Sequence, residues 1–230
     1  HTRYISVTGF QTCALPISAL ALRTLAAPRA LVWAAVASRL AHDVGERTGL
    51  AAVTGWLPDP GWGWLLLGLL LFVSPPARML AAAAIARAWL HGVVPGQYPR
   101  GGRVHLRLWA SERSVEHLGA VSVGGAILMP WYARLLGATV EPDVDLHAIP
   151  PVTGFLRLGR GCSIEPEVDL SGHWIDGDVL HLGAISVGRD ARIGTRSTLC
   201  PGAVVGDEAE VAPGSAVLDP VPDGEFWSGA

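Results

Sequence analysis

The sequence predicts a mainly β fold, a three-sided parallel β-helix, preceded by an α-helical, apolar region expected to associate with a membrane. Three observations predict it. An aliphatic residue returns every six positions through the C-terminal part. A second residue, mostly small, follows each of these by four. The N-terminal part is rich in Ala, Leu and Trp, and half of the 230 residues are apolar while only 16% are charged.

The repeat is the strongest signal. Val140, Leu146, Val152, Leu158, Ile164 and Leu170 keep the six-residue spacing without a slip, and so do Val187, Ile193, Leu199, Val205, Val211 and Val217. The residues four further on are Val144, Pro150, Leu156, Cys162, Val168 and Trp174, then Ala191, Ser197, Ala203, Ala209, Ser215 and Val221. Helices repeat at 3.6 residues and ordinary strands at 2, so a period of six needs another geometry. One flat strand plus one tight turn supplies it. Three such hexads close a triangular coil of about eighteen residues, and coils stack at roughly the 4.8 Å spacing of neighbouring strands. The aliphatic residues then form columns inside the prism. Gly161, Gly188, Gly194, Gly206 and Gly214 are expected to supply turn conformations closed to most residues.

Each tract, 140–175 and 187–222, makes two coils. Between them lie eleven residues, Asp176 to Ser186, where two hexads would need twelve. The coil is therefore expected to break there, with a loop pushed outward. Departures from a regular pattern are where function tends to sit.

The regions before the repeat divide as follows. Residues 1–18 contain YISVTGFQTCALPIS, which closely resembles the translation of a sequencing-library adapter, so they are read as an artefact and set aside with Cys13. Residues 19–94 form the hydrophobic helical region. Gly61 to Ser74 has no charge, Trp62 and Trp64 stand at one end as an interfacial belt would, and Arg78, Arg87, Arg100, Arg103 and Arg107 crowd the other. Those arginines put that end on the cytoplasmic side, so the chain is expected at the cell membrane with its β-helix facing the cytoplasm. The competing reading is a buried helix of a soluble protein. Residues 77–91 read as a further helix, and Leu22 to Leu40 as one whose Arg23, Arg29 and Arg39 make it a poor span. Residues 95–139 are a connector: a turn-rich break at VVPGQYPRGG, a helix stopping at Gly119, and a short helix from Pro130 to Gly137. Residues 140–230 carry the β-helix. Net charge is −3, which gives no basis for nucleic-acid binding. Three cysteines without paired spacing argue against a disulfide framework and against a cysteine zinc site.

The hexads resemble the left-handed parallel β-helix of hexapeptide-repeat acyltransferases, over roughly residues 134–230. The ending VPDGEFWSGA is similar to that family's closing turn, so the chain is expected to be part of a longer one. The order of hydrophobic helices, YPRGGRVHLRLWASERSVE, PWYARLLGATV and hexad coils resembles the C-terminal region of poly-lysine-synthetase-type nonribosomal peptide synthetases. That resemblance implies three β-helix domains alternating with transmembrane helices. It also implies transfer of a thioester-bound acyl or aminoacyl group to an amine, the donor being coenzyme A or a carrier-protein phosphopantetheine. Partners implied are an amine substrate, membrane lipid, a carrier protein, and sister β-helices making a trimer or intrachain pseudo-trimer.

Such a transfer needs a base, and histidine suits it at neutral pH. His173 comes first, because it precedes the break and has Glu165, Glu167, Asp169, Asp176 and Asp178 about it. His181, inside the break, comes second and His147 third. Glu165, Glu167 and Asp169, alternating along a strand, would share one face and attract an ammonium group, with Asp176 and Trp174 also facing substrate. The blander reading, a solvated acidic face with a surface histidine, stands beside this one. Arg189, Arg192 and Arg196 are placed to meet the phosphates of the donor arm, or are solubilising turn arginines. Cys162 and Cys200 are read as packing. A noncatalytic β-helix scaffold is the main alternative function. A metal site like that of gamma-class carbonic anhydrases is the lesser one, since no two histidines have close ligand spacing, and no metal is expected.

Overall fold

The computed structural model describes residues 24–49, 51–119 and 126–229. The adapter-like residues 1–18 lie outside them. The chain divides into two compact units between Arg78 and Met79.

The first unit is helical. Helix α1 (Ala27–Thr48) starts with proline in its first turn and ends where Gly49 turns left-handed, so it begins later and runs further than the Leu22–Leu40 pattern. A single turn, Ala51–Thr54, follows. Gly45 on α1 faces Thr54 so closely that an added Cβ would stand 2.0 Å from its Oγ1. Helix α2 (Trp62–Gly68) widens over Leu69–Val73 to a turn closed by Ser74 N–H donating to the Leu69 carbonyl at 2.9 Å. Ser74 is extended (φ −64, ψ 139) and stops the helix. No single helix among the described residues is long and apolar enough to cross a membrane; Trp62–Val73 and Pro75–Leu90 reach that length and hydropathy only as a broken pair. Trp56, Trp64, Leu66, Leu70 and Leu71 are exposed.

The second unit begins inside helix α3 (Pro75–Leu90). Met79, Ala82, Ala83 and Ala86 of α3 belong to the same buried core as the coils, and this places Met79–Leu90 with the β-helix. Strand β1 (Gly96–Pro99) follows, within the segment read from sequence as a turn-rich break. Its proline sits at the end of a sheet-edge strand, where the missing N–H costs little. Helix α4 (Arg103–Leu118) ends at left-handed Gly119, and α5 (Met129–Leu136) at left-handed Gly137. Tyr132, Ala133 and Leu136 of α5 are buried against the first coil. Arg134 fastens that cap, donating from Nε and Nη2 to the Val140 carbonyl at 3.1 and 3.0 Å.

The coils form a parallel β-solenoid. One wall stacks β2 (Thr139–Val140), β4 (Leu156–Leu158), β8 (Ile185–Val187) and β11 (Val204–Val205). A second stacks β3 (Asp145–Leu146), β5 (Ser163–Ile164), β9 (Arg192–Ile193), β12 (Glu210–Val211) and β14 (Phe226–Trp227). The third holds β10 (Thr198–Leu199) and β13 (Ala216–Val217), with Asp169 bridging to Thr198. Eleven of the twelve period-six residues are buried, with Val152 half-buried. Each fully buried aliphatic side chain contributes about 1.5–3 kcal/mol.

Registers locate the interruption. Val140 pairs with Leu158 and Val187 with Val205, eighteen residues apart, but Leu158 pairs with Val187, twenty-nine apart. Eleven residues are thus extruded at one corner without disturbing the stack. They leave as the hairpin β6 (His173–Asp176) and β7 (Val179–Leu182), antiparallel to each other, with β7 also antiparallel to β1 on its other side. The excursion therefore starts at His173 rather than Asp176, and Ile185–Val187 is already wall. Trp174 consequently occupies no inner slot and is 43% exposed. Another difference is that the last coil is two residues short: Val221 bridges to Val205 as a wall residue, not as a fourth-position neighbour of Val217. Val144 is half-buried.

The glycines act in two ways. Gly161 and Gly214 are left-handed, whereas Gly188 is needed for close approach: an added Cβ would meet the Asp207 backbone nitrogen at 2.5 Å.

Two substitutions test the columns. Ile193→Ala removes a side chain that is 1% exposed, and is expected to cost about 2–5 kcal/mol in denaturant unfolding. Its outward neighbour Arg192→Ala is expected to stay within about 0.5 kcal/mol.

Candidate functional site

His173 is the first residue of the extruded hairpin, whose foot is closed by Gly183 N–H donating to the Gly172 carbonyl at 2.9 Å. Gly172 is left-handed (φ 66), a conformation glycine adopts without the penalty of a Cβ. Arg100 straps the hairpin tip, donating from its backbone to the Asp178 carbonyl at 2.8 Å and from Nη1 to the Gly177 carbonyl at 3.2 Å.

Side chains alternate across the small sheet. His173 pairs with Leu182, and Ile175 with Leu180; these share one face with Tyr98. Leu180 and Leu182 on that face pack with Leu90 and Leu108 of α3 and α4. Trp174 and His181 pair on the opposite face, their rings edge to face at 5.8 Å. The two leading histidines therefore point to opposite sides of one sheet.

What His173 meets instead is α4. Glu112 places Oε1 3.7 Å from His173 Nδ1, and the Ser171 carbonyl lies 3.3 Å from the same nitrogen. Burial pushes the Glu112 carboxyl above the usual range, Asp169 and Glu116 add to this, and His173 and Arg113 oppose it. His105, seven residues earlier on α4, has Nδ1 accepting from the Gly101 N–H at 2.8 Å. Burial, then Arg100 and His173, lower its proton affinity. Glu112 and His105 escaped the sequence reading; a seven-residue spacing on a helix, which returns to the same face after two turns, was the available signal.

The predicted acidic residues separate. Glu165 and Glu167 flank a turn, not a strand, and Glu167 is left-handed (φ 63). Glu165 accepts from Thr195 N–H at 3.3 Å, and Glu167 pairs with Arg196 at 2.6 Å, one coil later. Of these predicted acids, Asp169 lies closest in the chain to His173; its Oδ1 accepts from the Ser171 N–H at 2.8 Å. Asp176 ends β6 on the Trp174 face and is exposed. His147 lies on the second wall's outer side, 3.0 Å from Asp145.

The arginines also separate. Arg189 donates to Asp207 from its backbone N–H at 2.8 Å and also from Nη2 at 2.7 Å and Nε at 3.0 Å, which keeps the Asp207 carboxyl below the ordinary carboxylate range. Arg192 stands outward on β9, and Arg196 lies at a different corner with Glu167. Arg189 and Asp207 line a groove of about 540 Å³ on the first wall, with Thr139, Arg157, Ser186 and Gly188. Neither His173 nor His181 lines it. Among the described residues no three His, Cys, Asp or Glu side chains converge as metal ligands would.

No protein-family model matches this chain. Among curated proteins, Delta-poly-L-ornithine synthetase of Acinetobacter baumannii (strain AB307-0294) is 28% identical over 169 residues, covering 72% of this chain and 13% of that protein. The chain thus spans about an eighth of that relative's length. Three solved structures align loosely. A serine acetyltransferase in complex with cysteine gives a TM-score of 0.34 at 16% identity over 86% of this chain and 96% of that one. Serine acetyltransferase 1 of Entamoeba histolytica with L-cysteine gives 0.30 at 15% identity, covering 66% and 62% of the two chains. Isoform 3 from the same organism gives 0.28 at 8%, covering 68% and 60%. The fold assignment rests on this chain's own registers.

Cys162 fills an inner slot, fully buried, and burial pushes its thiol up to about 12. Thiolate is the reactive form, so the folded chain is expected to leave Cys162 unmodified by iodoacetamide at about pH 8 and to expose it on unfolding, as peptide mass mapping would show.

Proposed function

We propose that this chain is a hexapeptide-repeat acyl or aminoacyl transferase domain that moves a thioester-bound group to an amine. The observation that carries this is His173, held between α4 and the hairpin foot with Glu112 and the Ser171 carbonyl both at Nδ1. That leaves Nε2 to take a proton. In the proposed reaction the amine nitrogen attacks the thioester carbonyl as Nε2 accepts the amine proton. The C–N bond forms, the C–S bond breaks, and the imidazolium returns the proton to the leaving thiolate.

The donor is a coenzyme A or carrier-protein phosphopantetheine thioester. β8 runs from the hairpin foot at Gly183 toward the Arg189 groove, about 10 Å for its three residues, so donor and base would lie at the two ends of one strand. Arg157 and Arg189 suit the donor's phosphates, although Arg189 must share with Asp207. The likeness to Delta-poly-L-ornithine synthetase supports an amino acid side-chain amine as acceptor, and a place within a nonribosomal peptide synthetase belongs to the same reading. The left-handed winding and the pairing of β-helices as a trimer or intrachain pseudo-trimer belong to this same reading. So does membrane attachment on the cytoplasmic side, supported by the exposed Trp56, Trp64, Leu66, Leu70 and Leu71.

A second reading, a noncatalytic docking scaffold, is favoured by the absence of His173 from the Arg189 groove. The two are separated by assaying the full chain with aminoacyl-carrier or acetyl-coenzyme A and a diamine. His173→Ala is expected to lower amide formation by at least about a hundredfold with the fold retained, as measured by mass spectrometry of product. Full turnover in that variant removes His173 as base, and no turnover in the parent chain favours the scaffold.

A further inference from the structure

The carboxylate beside His173 comes from outside the solenoid. Three acidic or imidazole groups surround the ring, and two are already engaged. Asp169 Oδ1 accepts from the Ser171 N–H at 2.8 Å, and His105 Nδ1 accepts from the Gly101 N–H at 2.8 Å. Arg113, next to Glu112 on α4, is paired with Glu116 at 2.5 Å. Glu112 alone of these faces His173 with its carboxylate directed at one ring nitrogen, Nδ1, at 3.7 Å. Its side chain is 38% exposed and that of His173 is 23% exposed, so the pair is partly shielded from water.

We propose that Glu112 is a positioning residue: with the Ser171 carbonyl it holds the proton of neutral His173 on Nδ1, so that Nε2 presents its lone pair to the acceptor amine. This rests on the reading of His173 as base. Free imidazole favours the other tautomer, with the proton on Nε2, and that form would offer the buried side of the ring as the base. The Ser171 carbonyl at 3.3 Å from Nδ1 and the negative charge of Glu112 at 3.7 Å on the same side reverse the preference. They also fix the ring plane, as the third member of a nucleophile–base–orienter set does elsewhere. As Nε2 takes the amine proton, the ring becomes cationic and draws the Glu112 carboxylate in from 3.7 Å, a contact expected to tighten on reaction. Helix α4 thereby becomes part of the reaction centre, and the solenoid without α4 is expected to be inactive.

The test uses the full chain, ¹⁵N-labelled at histidine, in detergent micelles at about pH 8. His173 is expected to show protonated Nδ1 and unprotonated Nε2. Glu112→Leu removes the carboxylate beside Nδ1 and is expected to move the signals toward the Nε2–H form. It should lower kcat on the order of tenfold, with KM for a diamine changed less than about twofold. Glu112→Gln, whose amide oxygen still accepts a hydrogen bond, is expected to keep the tautomer and recover part of kcat. An unchanged tautomer and kcat in Glu112→Leu, with an unchanged melting temperature, overturns the proposal. The tautomer is read without substrate, so it stays decisive even if His173→Ala shows that another residue is the base.

Discussion

The vertical stacking of aliphatic side chains inside the prism is the constraint from which the rest follows. Leu158, Val187 and Val205 stand above one another because parallel ladders join their strands. The ladders in turn require that each coil return to its own starting point. Wall strands of two or three residues could not hold together alone, since so short a strand has too few hydrogen bonds. They are held because each buries an inward residue on the one below. The polar outward residues, such as Arg157 and Arg192, are then free of structural duty and can carry chemistry.

This constraint explains why an eleven-residue excursion is tolerated. The ladder needs only that the chain rejoin at the right height, and Ile185 does so by donating to the Phe155 carbonyl at 3.0 Å. Corners answer to a related demand. Asp143, Gly161, Asp190, Glu208 and Gly224 are all left-handed and succeed one another along a single corner. Carboxylates at the same corner tie neighbouring coils: Glu141 accepts from Arg160 N–H, Asp207 from Arg189 N–H and Asp223 from Asp207 N–H. Acidic residues in the repeat therefore have mostly structural partners. The acid that meets His173 most directly had to come from another element.

The solenoid was legible in the sequence because a period of six is a local property, visible wherever a buried wall repeats. The α4 and α5 helix stops were legible for the same reason, since Gly119 and Gly137 mark positions that demand a left-handed backbone. The interruption was visible too, but its bounds were not. Trp174 and Val221 happened to continue the apolar count after the geometry had changed. The site was only half legible. His173 stood out by its place in the chain, whereas its contact with Glu112 joins residues sixty-one positions apart and leaves no periodic trace. Strand β1 was hidden for a related reason: Gly96 and Pro99 read as turn residues, and only pairing with β7 makes them a strand.

The extruded hairpin leaves and rejoins its corner at neighbouring points, Gly172 and Gly183. Its length is consequently uncoupled from the pitch of the prism around it. A lineage could lengthen, shorten or replace that finger without disturbing the stacked columns inside the prism, changing only its packing against α3, α4 and β1. Chemical novelty in such a molecule would accumulate at the finger while the shaft stayed the same, and related domains should differ most where their corners open.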